Sequence, residues 1–174
     1  MKERILSPKK KIRSGVFLPH LKGTAEMETV RFIPEKVYIP MSQHIGAPCV
    51  PCVKKGDAVF VGTKIGDSEA FISAPVHAGV SGTVTDIYEK TVGGQKNTYV
   101  EIESDGKMEE DPEKKPFEIK TAQDLSAAAR NCGLVGLGGA GFPTHVKLAP
   151  PEDTVIDTLI VNAAECEPYI TVDS

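Results

Sequence analysis

Between Val37 and Glu103 the chain is cut into short β-branched runs by Gly, Pro and Asp: VYIP, PCVKKGDAVFVGTKIGD, FISAPVHAGVSGTVTDIYE and NTYVEIE. Runs this short cannot present a helix face, but they are long enough for strands, so the stretch predicts a small all-β unit. Within it Ile45-Gly-Ala-Pro48 with Val53 matches Ile72-Ser-Ala-Pro75 with Val80 at an offset of 27 residues. An internal repeat of this kind predicts two similar half-sheets folded against each other.

The flanks read differently. Lys2, Arg4, Lys9, Lys10, Lys11 and Arg13 against Glu3 make 1–33 a basic arm, either a solvated tail or a segment that touches anionic lipid or an acidic partner. The β unit is assigned to 34–103. The next stretch, 104–118, contains SDGKMEEDPEKKP, too charged and too poor in apolar residues to offset the entropy of packing, and is expected to be a linker. In 119–174 the order changes. Thr121-Ala-Gln-Asp124 has the form of a capping box, Ala122, Leu125 and Ala129 recur at helical spacing, and Gly133 stands where a helix should stop. Thr144 is expected to cap one or two turns through Lys147, which Pro150 and Pro151 end. Thr158-Leu-Ile-Val161 reads as a buried strand ending at Asn162. The fold class is therefore α+β, a β-rich unit followed by the start of an α/β domain.

Composition narrows the function. A net charge of -4 gives no general attraction to nucleic acid, and 6% aromatics with no Trp leave no stacking platforms. No apolar run approaches the roughly 18 residues of a membrane-spanning helix, and the N-terminus lacks a signal peptide's apolar core. The reading is a cytosolic protein whose association with a membrane is indirect. Cys49, Cys52, Cys132 and Cys166 are expected as reduced thiols.

Chemistry concentrates in two places. Gly133 to Leu148, GLVGLGGAGFPTHVKL, contains Gly136-Leu-Gly138-Gly-Ala-Gly141, which satisfies the dinucleotide pattern G-x-G-x-x-G. That fingerprint needs a strand before the glycines and a full helix after them, so that pyrophosphate rests on the helix N-terminus. Here a helix precedes and only a short one follows. What remains is a tight turn, an anion-binding nest of N–H groups, or a flat platform on which a planar ring meets bare backbone, with Lys147 as a nearby cation. The second place is VNAAECEPYIT, Val161 to Thr171, just past the expected strand. There Asn162, Glu165 and Glu167 would face a crevice or form a solvated loop.

Together, GLGGAGFPTHVKL and NAAECEPYIT resemble the flavin- and NADH-binding core of the C subunit of the Rnf electron-transport complex, and more distantly the flavoprotein subunit of respiratory complex I. The resemblance runs from about Pro34 onward. It implies that Gly136, Gly138 and Gly139 face flavin or nicotinamide and that Phe142 stacks on adenine. It also implies that Lys147 lies near cofactor phosphate or ribose, that Asn162 and Glu165 contact FMN, and that Glu167 contacts NADH. Leu137 and Ala164 stand where the complex I pattern has an arginine and an aspartate, so one cationic and one anionic contact to FMN are missing.

The activity implied is NADH:ferredoxin oxidoreduction coupled to ion translocation. Hydride passes between NAD(H) and FMN, electrons go on to iron–sulfur clusters, and no side chain is needed as a catalytic acid or base. The family's C-x-x-C-x-x-C clusters for [4Fe–4S] centres are absent from these 174 residues, so the chain is expected to be the N-terminal piece of a longer protein. Other Rnf subunits are the expected partners, with ferredoxin reached indirectly, at the cytoplasmic side of a bacterial membrane. The motifs also resemble the cobalamin reductase of bacterial microcompartments; IPMSQHIGAP in the β unit favours Rnf.

The β unit itself resembles biotinyl and lipoyl carrier domains through VKKGDAVFVGTKIGD and ISAPVHAGVSGTVTDI. Carriers place a modified lysine on the hairpin between the two halves, where this chain has Asp67-Ser-Glu-Ala-Phe71. The implied fold is a lipoyl-like barrel-sandwich hybrid without a prosthetic group, serving as a docking or structural module. Cys49-Val-Pro-Cys52 has the spacing of a redox or zinc pair, but no helix start lowers a thiol pKa there and no second pair follows, so no metal site is assigned. His77 and His145 lack partners at ligand spacing; His145 is read as a cofactor contact or a surface residue. Cys166 sits between two glutamates, which disfavour its thiolate.

Overall fold

The computed structural model describes residues 19, 21–151, 154–158, 160, 168 and 169. The chain divides into two compact units, one of 32–155 and one built from 1–31 and 156–174. All strands and helices found among the described residues belong to the first.

Two antiparallel sheets make up the β unit. The larger has the order β1-β7-β6-β3, from β1 (Lys36–Pro40), β7 (Gln95–Ser104), β6 (Gly82–Val92) and β3 (Ala58–Val59). The smaller has the order β2-β4-β5, from β2 (Val50–Pro51), β4 (Lys64–Asp67) and β5 (Val76–His77). β6 and β7 form a hairpin closed by the two-residue turn Gly93-Gly94, with Val92 opposite Gln95. Alternation along these strands sends Val84, Val100 and Ile102 inward, where they are fully buried with Met41, Val59, Ile65, Val76 and Val80. Each such side chain contributes about 1.5–3 kcal/mol through burial. On the other face Tyr88 and Tyr99 stack across the strands, ring centroids 5.9 Å apart.

The 27-residue repeat has a physical counterpart. Its copies lie side by side: Ala47 N donates to Ile72 O at 3.1 Å, and Ser73 Oγ donates to Ala47 O at 3.1 Å. Val80 is buried and Val53 packs on the same core.

Two expectations are corrected. Within the stretch expected to be a linker, residues up to Asp111 run along the β unit. Val61 N donates to Glu109 O at 2.9 Å and Asp111 N to Val61 O at 3.1 Å. Ser81 Oγ donates to Asp105 at 2.6 Å, Thr63 Oγ1 to Asp111 at 3.0 Å, and Met108 packs on the core. Polar and main-chain bonds hold what apolar burial alone would not. Residues 112–120 are exposed. The second correction concerns Thr158-Leu-Ile-Val161: Thr158 and Ile160 are exposed and in no strand, and Leu159 and Val161 lie outside the described residues. A strand needs a neighbour for its N–H and C=O groups, and among the described residues none pairs with it.

In the unit made from 1–31 and 156–174, Leu21 N donates to Pro168 O at 2.9 Å. The basic residues of the arm, from Lys2 to Arg13, lie outside the described residues.

Candidate functional site

The path to the glycine loop starts at α1 (Ala122–Asn131), where the capping box forms as expected. Asp124 N donates to Thr121 Oγ1 at 3.1 Å, and the Asp124 carboxylate accepts from Thr121 N at 2.8 Å. The Thr121 hydroxyl first, then the Lys120 and Thr121 amides, hold the Asp124 carboxyl below its ordinary range. At the other end Gly133 N donates to Arg130 O at 2.8 Å and Leu134 N to Ala129 O at 3.0 Å. This is a Schellman stop, which needs the left-handed backbone (φ 66°) of Gly133.

The end of α1 is fastened to the β unit. Arg130 donates to Asp67 Oδ1 at 2.9 Å and to Ser68 O at 2.7 Å, and Lys64 donates to Asp67 Oδ2 at 2.8 Å. Burial pushes the Asp67 carboxyl up, but the bonds from Lys64, the Ser68 amide and Arg130 outweigh it and hold the group at about 2. A methyl group on Gly133 would strike the carbonyl of Pro75 and lie 3.0 Å from His77 Nδ1. His77 is half-buried, and burial followed by the Lys64 charge lowers its pKa. Thus the hairpin that carriers use to present a lysine is here where the following helix is anchored.

Beyond Gly133 the chain forms a loop with a closed base. Val135 and Pro143 make an antiparallel bridge, Thr144 N donates to Leu134 O at 2.9 Å, and Gly136 N to Phe142 O at 3.0 Å. Then α2 (Thr144–Lys147) makes a single turn. Pro143 occupies the N-cap position without a side-chain bond, so Thr144 is the first helical residue and not the expected cap. With α1 before it and four helical residues after it, the loop has neither flank of a dinucleotide fingerprint.

The glycines divide into two kinds. A Cβ on Gly141 would lie 3.0 Å from Gln43 O and 3.2 Å from His44 Cα, and Ile45 N donates to Ala140 O at 3.1 Å. Gly141 is small because the β unit presses on it. Around Gly138 and Gly139 a Cβ would meet nothing within 4 Å, and around Gly136 only ordinary contacts. Among the described residues no main-chain N–H from Leu137 to Gly141 donates to another main-chain carbonyl. The result is a crevice of about 510 Å³ between Gln43-His44-Ile45 and the loop, with Gly136 and Gly139 in its wall. Bare backbone with free N–H groups suits a flat ring or an anion, so the residues present fit FMN.

Of the other expected contacts, Phe142 and Lys147 come together: Lys147 Nζ lies 5.7 Å from the centroid of the half-buried Phe142 ring, a cation–π arrangement. Asn162, Glu165 and Glu167, with Cys166, lie outside the described residues. His145, read from sequence as a cofactor contact or a surface residue, is buried at 8% exposure. Its Nε2 is 3.3 Å from Phe71 O, and its Nδ1 has no partner among the described residues. Cys49 is buried, its Sγ donates to Ala74 O at 3.1 Å, and burial pushes its thiol up; the Cys52 thiol donates to Lys64 O at 3.3 Å. Among the described residues no cluster of potential ligands could hold a metal ion, and no helix is long and apolar enough to cross a membrane. The wall made by Gln43, His44 and Ile45 was not assigned from sequence. Its signal was a polar Ser-Gln-His step directly ahead of the first repeat copy.

Comparison with known proteins places these features in a family. A family model described as "RnfC Barrel sandwich hybrid domain" matches residues 10–107, and one described as "Nuo51 FMN-binding domain" matches residues 129–174. The C subunit of the Na(+)-translocating ferredoxin:NAD(+) oxidoreductase complex of Acetobacterium woodii is 47% identical over 92% of this chain and 38% of its own length. The C subunit of the proton-translocating ferredoxin:NAD(+) oxidoreductase complex of Clostridium ljungdahlii is 47% identical over 81% of this chain and 32% of its own length. The C subunit of the ion-translocating oxidoreductase complex of Pseudomonas aeruginosa is 40% identical over 91% of this chain and 21% of its own length. The chain thus spans little more than a third, at most, of the relatives named here. The strand-rich unit is a barrel-sandwich hybrid, it is followed by the start of an FMN-binding domain, and the chain belongs to the RnfC family.

Proposed function

We propose that this chain forms part of the C subunit of a membrane-associated NADH:ferredoxin oxidoreductase that couples electron transfer to ion translocation, and that its glycine loop is a wall of the FMN site. The observation that carries the reading is the open face of Gly136, Gly138 and Gly139, beside which the N–H groups from Leu137 to Gly141 lack main-chain partners among the described residues. On this reading Gly136, Gly138 and Gly139 let the isoalloxazine ring lie against backbone, and Lys147 supplies a cation for phosphate or ribose. Phe142 offers a ring face to the adenine, while Asn162 and Glu165 contact FMN and Glu167 contacts NADH. Bound FMN supplies the conversion between two-electron and one-electron transfer; the chain's own residues bind and orient it.

The same reading divides the chain into a basic arm (1–33), the barrel-sandwich hybrid (34–103), a connecting stretch (104–118) and the beginning of the cofactor domain (119–174). The [4Fe–4S] clusters belong to further sequence of the full-length protein. Other Rnf subunits are its partners, NADH and ferredoxin its redox partners, and its place is peripheral, on the cytoplasmic face of the bacterial membrane. The names of the relatives, together with a family match that includes IPMSQHIGAP, support Rnf over a cobalamin reductase.

Titrating full-length protein with FMN and NADH tests the reading. Stoichiometric FMN retention with NADH oxidation by an artificial acceptor is expected. Failure of both would leave the non-catalytic docking module as the role of the β unit.

A further inference from the structure

We infer that the barrel-sandwich hybrid sets the shape of the cofactor loop, and that His44 is the positioning residue through which it does so. This rests on the reading of the glycine loop as an FMN wall. Segments about ninety positions apart in sequence make one crevice, Gln43-His44-Ile45 on one side and Gly136 to Gly141 on the other. Two contacts join them: the Ile45 amide donates to Ala140 O at 3.1 Å, and Gly141 is seated against Gln43 O and His44 Cα.

The 43–45 segment has no strand to hold it, since it falls between β1 and β2. Its shape comes from the His44 imidazole. Nδ1 donates to Ile45 O at 3.1 Å, and Nε2 rests against the Ala74 backbone, 3.2 Å from its nitrogen, which donates to the ring, and 3.0 Å from its oxygen. The buried Cys49 Sγ closes the pocket at 3.8 Å. His44 therefore ties the segment facing the cofactor loop to the second copy of the repeat, Ile72 to Pro75. Because both ring nitrogens are engaged with protein backbone, His44 acts on the loop through Ile45 and Gly141 and keeps neither nitrogen for a ligand. Such support matters because a loop of glycines has many backbone states and binds more weakly when its bound shape is a minor one.

The test compares full-length wild type with His44→Ala and His44→Asn by amide hydrogen exchange and by FMN affinity from flavin fluorescence. In His44→Ala, exchange at the bonded amides of Ile45 and Gly136 is expected to rise about tenfold, with FMN bound about tenfold more weakly, the scale of one lost hydrogen bond. Exchange in β6 and β7 should stay as in wild type. Asn can still donate to Ile45 O, so His44→Asn should restore both loop protection and affinity, which a general packing role would not do. Wild-type loop exchange and affinity in His44→Ala overturn the inference. If wild type itself retains no FMN, the cofactor reading falls and loop exchange alone decides the coupling. If His44→Ala loosens β6 and β7 as well, Gly141→Ala decides instead. It presses on the same seat from the loop side, and wild-type FMN affinity in that variant would equally overturn the inference.

Discussion

Substituting Gly133 and Gly139 separately by Ala tests the division between glycines that serve packing and glycines that serve the open face. Both have left-handed backbone, φ 66° and 70°, so each alanine carries a conformational cost of about 1–2 kcal/mol. At Gly139 the new methyl meets nothing within 4 Å, and that cost is the whole effect on stability. At Gly133 the methyl meets His77 Nδ1 and the Pro75 carbonyl, which as main chain of the β unit cannot swing away. The end of α1 must retreat, adding about 1–3 kcal/mol for overpacking and a total near 3 kcal/mol. For a unit of this size about 3–4 °C of melting temperature corresponds to each kcal/mol. Thermal unfolding followed by circular dichroism should therefore show Gly133→Ala about 10 °C below wild type and Gly139→Ala about 5 °C below. FMN binding should reverse part of the order: Gly139→Ala loses affinity while still folded, because its methyl projects where the ring would lie. Equal melting temperatures for the two variants would refute the distinction between a glycine pressed by protein and one left open.

Other consequences concern charge. Replacing Arg130 with Met and Asp67 with Asn, singly and together, should give a coupling energy of about 1–2 kcal/mol in denaturant unfolding, because the pair is about three-quarters buried and bonded at 2.9 Å. Additive single effects would mean that the contact does not anchor α1. Asp67, held at about 2 from an ordinary 3.8, contributes stability that is complete above about pH 4 and lost as pH falls towards 2. The amount is about 1–2 kcal/mol once the exposure of Lys64 is allowed for, and Asp67→Asn should flatten that part of the acid unfolding curve. Lys147→Met should raise the NADH concentration for half-maximal oxidation about tenfold with little change in melting temperature, since Lys147 is exposed. An unchanged NADH requirement would remove Lys147 from the site.

The β unit was legible because Gly, Pro and Asp punctuate short β-branched runs, and the start and stop of α1 were legible because capping is local chemistry. The attachment of Asp105 to Asp111 was not, since it depends on Ser81 and Thr63, whose approach no window of composition reveals. Gly141 shows the same limit from the other side: its letter announces a close approach, but that the neighbour is Gln43 and His44 emerges only once the chain is folded. The strand expected at Thr158 to Val161 rested on apolar content alone, and a strand is defined by a partner as much as by itself.

The closed base of the glycine loop, where Val135 meets Pro143 and Gly136 meets Phe142, separates two kinds of constraint. Positions at the base answer to folding. Leu137 at the tip, 99% exposed, supports no packing and is free to vary without cost to the scaffold. This is the position at which the complex I pattern carries arginine. If the crevice holds FMN as proposed, a cationic residue at this one tip position should tighten its hold on the anionic ligand while leaving the barrel, the helix and the loop closure as they are.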